Sequence, residues 1–299
     1  MSQAADSTRP IALVTARAAR ELDEDLPPLL AALAASGLAA EVVAWDDERV
    51  EWSRFRLALL RSTWDYSARL AEFLAWLDRT ARLTRVLNPP PVVRWSLDKH
   101  YLAELRRAGA AIVPTRFVEP GEDPAAALQQ LLGGDAAADI VIKPVVGSGS
   151  RDAQRHHREE LGAMTAHIAR LLAEQRSVLV QPYLERVDEH GETALMYFNG
   201  EFSHAIRKGP LLQRGSGPTR ALFAAEQITA RTPDADELAL GARVLQALPF
   251  PPLLYARIDL LRGADGAPCV LELELAEPSL FFTYAAGAAA RFARLIGAL

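Results

Sequence analysis

Short apolar runs and amphipathic stretches alternate along the first third of the chain. The runs typical of buried strands are Ile11 to Thr15, Val42 to Trp45, Leu57 to Leu60 and Val86 to Leu87. Pro27 and Pro28 suit the first turn of a helix that ends before Gly37, and Leu70 to Leu83 has helical spacing. This alternation predicts a small α/β domain with a largely parallel sheet, which ends at the proline run Asn88 to Pro91.

The remaining two-thirds of the chain carry longer apolar runs, which predict an antiparallel sheet with helices. The predicted strands are Ile112 to Val113, Ile140 to Val146, Ser177 to Gln181, Ala194 to Phe198, Phe202 to Arg207, Leu253 to Leu261 and Cys269 to Leu275. Asn199-Gly200 is a strong hairpin signal, Ser96 can cap a helix that runs to Ala108, and Pro124 to Leu132 is helical. The fold class is therefore α/β followed by α+β, with the second unit beginning near Val92.

The last two predicted strands bring charged side chains together. If Asp265-Gly266 is the centre of their hairpin, Asp259 lies opposite Glu272 and Arg257 opposite Glu274, although a longer connection would change this register. The three carboxylates then share one face, because strand side chains alternate with a period of two. Like charges facing each other destabilise a sheet, so the arrangement favours a hard cation such as Mg²⁺. The alternative is a solvated outer face with Arg257 as an ion-pair partner.

Composition and charge exclude several classes of protein. The 299 residues are 50% hydrophobic and 24% charged with a formal net charge of -5, as in soluble globular proteins. This balance provides no basic surface for nucleic acid, and no uncharged stretch is long enough to cross a membrane. The single cysteine, Cys269, excludes an intrachain disulfide and a cysteine zinc site and suits packing, so we expect a cytoplasmic protein.

Lysine is rare in this chain. Only Lys99, Lys143 and Lys208 stand among the 33 basic residues, and all others are arginines. An ammonium group reaches a single oxygen as a compact point charge, whereas a guanidinium is a wider planar fork. The three lysines are therefore candidate phosphate ligands, and the alternative is chance survival in an arginine-rich composition.

Lys143 precedes a flexible loop. Gly147 and Gly149 allow backbone N–H groups to close on an anion, and the hydroxyls of Ser148 and Ser150 add donors. The loop is a candidate phosphate cover, although an ordinary turn has the same composition. The usual phosphate-loop and dinucleotide motifs are absent.

Taken in order, these features resemble the motifs of the ATP-grasp superfamily over nearly the whole chain. The resemblance implies an N-terminal pre-ATP-grasp α/β domain over residues 1–91, a central lid domain with the glycine loop over residues 92–184, and a C-terminal antiparallel-sheet domain over residues 185–299. The implied ATP contacts are Lys99, Lys143, Gly147, Ser148, Gly149, Ser150, Gln181, Tyr183, Leu184, Glu192 and Lys208. It also implies Mg²⁺ on Asp259, Glu272 and Glu274, and catalytic roles for Arg257 and Lys208. Many members carry a neutral asparagine where Glu274 stands, so the ligand set of this chain differs in charge.

Three stretches resemble, more narrowly, the cyclo-ligases that act on O-ureido-D-serine in cycloserine biosynthesis: Glu21 to Pro28, Leu60 to Tyr66 and Leu271 to Ser279. That resemblance implies an antibiotic-biosynthetic enzyme that activates the substrate carboxylate as an acylphosphate. The ureido nitrogen then closes the ring, with release of ADP, phosphate, carbon dioxide and ammonia. An intermolecular amino-acid or peptide ligase and a non-catalytic ATP-binding module are the alternatives.

Candidate contacts to an amino-acid substrate come from two places. One group follows a strand of the N-terminal sheet at its carboxyl end, and the other adjoins the nucleotide motifs: Arg61, Ser62, Asp65 and Tyr66, then Arg151, Glu277 and Ser279. Ordinary solvated loops are the alternative for each. Gln213 to Pro218 is a candidate lid, His156 and His157 are expected to be solvated, and related ligases suggest a homo-oligomer, either dimer or tetramer.

Overall fold

The computed structural model describes residues 9–132, 137–215 and 227–299, and within them the chain begins with a parallel sheet. The sheet has the order β2-β1-β3-β4, as expected for alternating strands and helices. Its strands and flanking helices are β1 (Ile11–Thr15), α1 (Leu26–Ala35), β2 (Ala40–Ala44), β3 (Leu57–Ser62), α2 (Leu70–Ala81) and β4 (Arg85–Leu87). The predicted α/β organisation of this part is confirmed.

The proline run starts a helix as well as ending a strand. Pro90 and Pro91 occupy the first turn of α3 (Pro90–Leu97), and α4 (Tyr101–Arg107) follows after a break. The prediction of one helix capped by Ser96 is therefore wrong. The backbone leaves the helical path at Asp98 and Lys99, where the Lys99 N–H donates to the carbonyl oxygen of Val145 at 3.3 Å.

The central region forms a four-stranded antiparallel sheet with the order β5-β8-β6-β7. Its elements are β5 (Arg116–Val118), α5 (Pro124–Leu132), β6 (Asp139–Pro144), β7 (Gln154–His157), α6 (Leu161–Ala173) and β8 (Val178–Pro182). His156 on β7 is buried rather than solvated, because its Nε2 lies 3.1 Å from Nδ1 of His167 on α6. The expectation for His156 was wrong because β7 pairs with β6 and packs under α6.

The C-terminal region forms a separate five-stranded antiparallel sheet with the order β11-β10-β9-β12-β13. Its elements are α7 (Val187–His190), β9 (Glu192–Phe198), β10 (Glu201–Lys208), β11 (Ile228–Arg231), α8 (Ala235–Ala247), β12 (Tyr255–Arg262), β13 (Pro268–Glu274) and α9 (Ala288–Gly297). The last two-thirds therefore contain two sheets, where the sequence predicted one. Periodicity identifies strands but does not identify which strands are neighbours.

The pairing of β12 with β13 around the acidic residues is the predicted one, but it arises from a longer connection combined with a β-bulge. Asp259 pairs with Glu272 and Arg257 with Glu274. Arg262 pairs with Pro268, however, so the connection is five residues long and not two. A bulge at Leu271 restores the phase, and without it Glu272 would lie on the opposite face from Asp259.

One hydrophobic core joins the two ends of the chain. Leu13 and Leu59 of the parallel sheet belong to the same buried cluster as Phe198 and Phe292 of the C-terminal region. A second, separate cluster lies between the central sheet and its helices and includes Ile168. Within the described ranges, every helix is either too short or too polar to span a lipid bilayer.

Candidate active site

A cavity of about 510 Å³ lies where the two antiparallel sheets meet the loops of the parallel sheet. Most of the residues singled out from the sequence lie on its wall. They are Tyr66, Lys99, Lys143, Gly147, Ser148, Gly149, Ser150, Arg151, Gln181, Tyr183, Leu184, Glu192, Lys208, Arg257, Glu272, Glu274, Glu277 and Ser279. Asp259 lies just behind this wall and contacts Lys208 and Arg257.

Lys99 and Lys143 converge on one carboxylate although they are 44 positions apart in the chain. Each ammonium Nζ lies 3.2 Å from Oε1 of Glu272. Burial raises the pKa of Glu272, but Lys143 and Lys99 outweigh it and lower this pKa to about 2. Lys99 also donates to the carbonyl oxygen of Gly147 at 2.9 Å and so fixes the start of the glycine loop.

Lys208 and Arg257 converge on Asp259. Arg257 donates two hydrogen bonds of 2.8 Å to its two carboxylate oxygens, and Lys208 Nζ donates to Oδ2 at 2.9 Å. Burial raises the pKa of Asp259, yet the two cations hold it well below its usual range. Lys208 also donates to Oε1 of Glu192 at 2.6 Å. This pair of cations lies beside the first pair, because Asp259 and Glu272 are register partners.

The acidic triplet has the geometry of a candidate metal site. Asp259, Glu272 and Glu274 each offer one carboxylate oxygen, and these oxygens lie within 4.8 Å of one another. Arg257 donates a hydrogen bond to Glu274, but burial outweighs that attraction and the pKa of Glu274 is raised. Three converging carboxylates suit a hard divalent cation, so the donor set fits Mg²⁺.

One part of the cavity wall is apolar. Gln181 is buried and donates from Nε2 to Oγ1 of Thr115 at 2.8 Å. The cavity is lined here by Val113, Val141 and Leu271. None of the three was among the ATP contacts predicted from the sequence. Val141 is two positions before Lys143 on β6, so strand alternation was the signal that could have found it.

The glycine loop is held against the N-terminal region. Ser148 Oγ donates to the carbonyl oxygen of Trp64 at 2.6 Å, and the Tyr66 hydroxyl donates to that of Gly147 at 3.4 Å. Gly149 and Ser150 have positive φ values, both 58°, which turn the backbone sharply around the cavity. The loop therefore covers the cavity in this conformation.

Three of the candidate substrate contacts lie behind the cavity wall. Arg61 is fully buried and donates to the carbonyl oxygen of Pro278 at 2.8 Å, and Ser62 Oγ donates to Thr15 Oγ1 at 2.8 Å. Asp65 accepts hydrogen bonds from the indole of Trp45 and from Arg69. The sequence places these residues after a strand, but packing and ion pairing turn their side chains away from the cavity. Tyr66 does line it.

Asp25 is a structural residue that the sequence did not single out. Its carboxylate accepts the backbone N–H groups of Leu280, Phe281 and Phe282 at 2.5, 3.1 and 2.9 Å, and Arg61 lies 3.5 Å away. It ties the loop after β1 to the segment after β13. That segment carries Glu277 and Ser279, which line the cavity.

Glu277 is buried on the cavity wall. Burial and the neighbouring Glu274 raise its pKa to about 8, although Lys99 and Tyr66 oppose the shift. Its proton is therefore exchangeable near neutral pH.

The candidate lid, Gln213 to Pro218, is only partly covered by the structure, because positions 216–218 lie outside the described residues.

Comparisons with known proteins relate the chain to one family of enzymes. A family model described as the N-terminal domain of D-cycloserine synthetase DcsG matches residues 11–88. Cycloserine biosynthesis protein DcsG of Streptomyces lavendulae is 44% identical over 292 residues, which cover 96% of this chain and 97% of that protein. The crystal structure of D-cycloserine synthetase DcsG matches with a TM-score of 0.91 at 43% identity, over 96% of this chain and 98% of that one.

More distant structures share the fold. ATP-grasp ligase PsnB, in complex with a minimal precursor, Mg and ADP, matches with a TM-score of 0.62 at 19% identity over 96% of each chain. D-alanine–D-alanine ligase from Bacillus anthracis, in complex with ATP, matches with a TM-score of 0.65 at 15% identity over 97% of this chain and 95% of that one. At such identities the likeness concerns the fold alone.

Proposed function

The chain belongs to the D-cycloserine synthetase family of ATP-grasp ligases, and we propose that it converts O-ureido-D-serine into D-cycloserine in an ATP-dependent reaction. The ATP-grasp fold and the class of enzyme expected from the sequence, an ATP-dependent ligase that forms a C–N bond, are thereby confirmed. The observation that carries the proposal is the convergence of Lys99, Lys143, Lys208 and Arg257 on acidic side chains at one cavity.

In this proposal ATP spans the cavity from its apolar end to the cation cluster. The adenine ring lies in the slot near Gln181, and the ribose contacts Glu192. Lys99 and Lys143 exchange the carboxylate of Glu272 for phosphate oxygens, which is possible because all three groups lie on the cavity wall. The glycine loop covers the phosphates.

Asp259, Glu272 and Glu274 would hold Mg²⁺, which supplies positive charge beside the transferred phosphoryl group. Phosphoryl transfer needs positioning and charge stabilisation more than covalent participation of the protein. Lys208 and Arg257 are placed to supply that charge as the substrate carboxylate attacks the terminal phosphate of ATP. The product of this step is an acylphosphate and ADP.

Ring closure follows within the same molecule. The ureido nitrogen bonded to oxygen attacks the acyl carbon and gives up its proton, so a C–N bond forms as the bond between the acyl carbon and the phosphate oxygen breaks. Water then cleaves the bond between this nitrogen and the carbamoyl carbon, and the released carbamate breaks down to carbon dioxide and ammonia. An internal nucleophile has a high effective concentration, so no second amino-acid site is required. The proposal assigns Glu277 to the proton exchange of this step, because its carboxyl group lies on the cavity wall and burial raises its pKa to about 8.

The proposal is tested by measuring phosphate release from Mg-ATP with either enantiomer of O-ureidoserine and with a panel of amino acids. We expect turnover with the D enantiomer as the sole amino substrate, together with formation of the cyclic product. Turnover only when a second amine is added would indicate an intermolecular ligase. ATP binding without turnover on any substrate would indicate a binding module. Either result would overturn the proposal.

A further inference from the structure

Phe281 has a backbone conformation that a residue with a side chain rarely adopts. It lies in the segment after β13, with φ at 51° and ψ at 43°, in the left-handed region. For a bulky residue this conformation is strained, because its Cβ crowds the backbone. A glycine would adopt it without strain, so the side chain at this position is kept at a cost in stability. Strain of this kind persists where the surrounding structure enforces it, and it clusters at functional sites.

Three elements of the fold enforce the path of the chain at Phe281. The carboxylate of Asp25, in the loop after β1, accepts the backbone N–H groups of Phe281 and of both its neighbours. Nε2 of His204 on β10 donates to the carbonyl oxygen of the residue before Phe281 at 2.8 Å. Nη1 of Arg257 on β12 donates to that of Ser279 at 3.2 Å. Contacts from both the parallel sheet and the C-terminal sheet therefore fix where the Phe281 side chain lies.

The side chain fixed in this way lies beside the arginine assigned to the transferred phosphoryl group. The centroid of the Phe281 ring is 5.6 Å from Cζ of Arg257, within the range of a cation–π contact. The ring of Tyr284 packs against it, with the centroids 6.3 Å apart and the ring planes at 70°. Arg257, Phe281 and Tyr284 all line the cavity. An apolar surface therefore adjoins the cation that stabilises charge in the proposed reaction.

The acylphosphate of the proposed reaction has two possible fates at this place. Attack by the ureido nitrogen on the acyl carbon closes the ring. Attack by water breaks the same mixed anhydride, returns the substrate carboxylate, and releases inorganic phosphate and a proton, so one ATP is consumed without product. Exclusion of water from the site prevents such a side reaction.

We infer that the Phe281 ring shields the acylphosphate beside Arg257 from water, so that the ureido nitrogen and not water is the nucleophile. This inference rests on the proposed function and deepens it by naming the residue that selects between the two nucleophiles. The ring suits this role because it carries no polar group that could bind or activate water. It is also held in place by the hydrogen bonds of the neighbouring backbone.

The test measures the ratio of phosphate released to cyclic product formed, at saturating Mg-ATP and O-ureido-D-serine. The wild-type protein is compared with Phe281→Ala, which removes the ring and keeps a Cβ, and with Phe281→Gly, which also relaxes the left-handed backbone. Phe250→Ala is the matched control. The Phe250 ring is also half-buried, packs against Trp95 with the centroids 5.6 Å apart, and lies outside the cavity wall.

We expect a ratio of about one for the wild type and for Phe250→Ala, because each ring closure releases a single phosphate when water is excluded. Phe281→Ala and Phe281→Gly should each raise the ratio at least about threefold, because water then reaches the acylphosphate. A purely structural loss would lower phosphate release and product formation together and would leave the ratio unchanged.

Three results would overturn the inference while leaving the proposed function intact. The first is a wild-type protein that releases several phosphates for each ring it closes, and this measurement needs no variant. The second is a ratio in both Phe281 variants equal to that of the wild type. The third is a normal ratio in Phe281→Gly alone, which would assign the effect of alanine to backbone strain. A wild type that forms no cyclic product from O-ureidoserine would instead contradict the proposed function itself.

Discussion

The ammonium groups of the three lysines each lie close to a carboxylate, at 3.2 Å from Glu272 for Lys99 and Lys143 and at 2.6 Å from Glu192 for Lys208. Lys208 is 6% exposed and lies between Glu192 and Asp259, and Arg257 already occupies the other side of Asp259. We therefore expect Lys143→Arg and Lys208→Arg each to lower turnover by at least about tenfold, a loss of about 1.4 kcal/mol of transition-state stabilisation. Steady-state phosphate release at saturating ATP measures this loss.

An exchange between arginine and lysine at a surface position provides the control for the lysine variants. Arg170 lies on α6, its side chain is 43% exposed, and it pairs with Asp152 on the surface. Arg170→Lys should leave turnover unchanged. Near-normal turnover in both lysine variants would show that the lysines are chance survivors of an arginine-rich composition.

Glu277 makes the stability of the ligand-free protein depend on pH. Burial raises its pKa from an ordinary value of 4.5 to about 8, so between these pH values the folded chain holds a proton that the unfolded chain has lost. Its contribution to stability is complete below pH 4.5 and is lost as the pH rises through about 8. Glu277→Gln removes this dependence, so its free energy of unfolding should improve relative to the wild type from pH 5 to pH 9, as measured by urea denaturation.

A carboxylate with the opposite shift serves as the control for Glu277. The hydrogen bond from Arg54 holds the pKa of Glu41 below its usual value. Glu41→Gln should therefore lose a little stability relative to the wild type as the pH rises to about 4.5, because the paired charge is missing, and this difference should stay constant from pH 5 to pH 9. A difference between Glu277→Gln and the wild type that stays constant over the whole pH range would contradict the assignment for Glu277.

At the scale of elements, strands in which polar and apolar residues alternate could be predicted from the sequence. Strands without this alternation, which form only because they pair with a neighbouring strand, could not. The face shared by Asp259, Glu272 and Glu274 follows from a period of two, and the bulge at Leu271 happens to compensate for the longer turn. By contrast β7 consists of four polar residues, and only its pairing with β6 makes it a strand. Packing likewise decided that Arg61 faces Pro278 and not the cavity.

The start of β9 depends on a glycine that no other residue can replace without moving the site. Gly191 has a φ of +77°, and a Cβ there would lie 2.6 Å from both the carbonyl oxygen of Lys208 and Nε of Arg207. Gly191→Ala should therefore disturb the pairing of Glu192 with Lys208. We expect a loss of stability beyond the penalty of about 1–2 kcal/mol for a left-handed alanine, and weaker ATP binding by calorimetry.

Gly37 provides a control that separates the backbone penalty of Gly191→Ala from the steric clash of its Cβ. Its φ is +72°, and a Cβ there would meet nothing within 4 Å, so Gly37→Ala carries the backbone penalty alone. It should lower the melting temperature and leave the affinity for ATP unchanged. Equal ATP affinities in the two variants would show that the contacts of Gly191 do not support the site.

At the scale of the whole molecule, the shared core predicts that the N-terminal and C-terminal regions unfold together. Phe292 on α9 is fully buried, its ring lies 4.8 Å from that of Phe198, and its cluster includes Leu13 and Leu59 of the parallel sheet. Phe292→Ala should destabilise the protein by about 3–5 kcal/mol. Four of the five tryptophans lie in the N-terminal region, at Trp45, Trp52, Trp64 and Trp76.

Tryptophan fluorescence therefore reports on the N-terminal region, far from residue 292 in sequence. In urea titrations, the fluorescence and far-UV circular dichroism midpoints of Phe292→Ala should fall together, because loss of the shared core affects both regions. Ile168→Ala, in the separate core of the central sheet, should shift the fluorescence midpoint much less. An unchanged fluorescence midpoint in Phe292→Ala would mean that residues 1–91 fold as an independent domain. The hydrogen bonds from the segment after β13 to the carboxylate of Asp25 would then form only after both regions have folded.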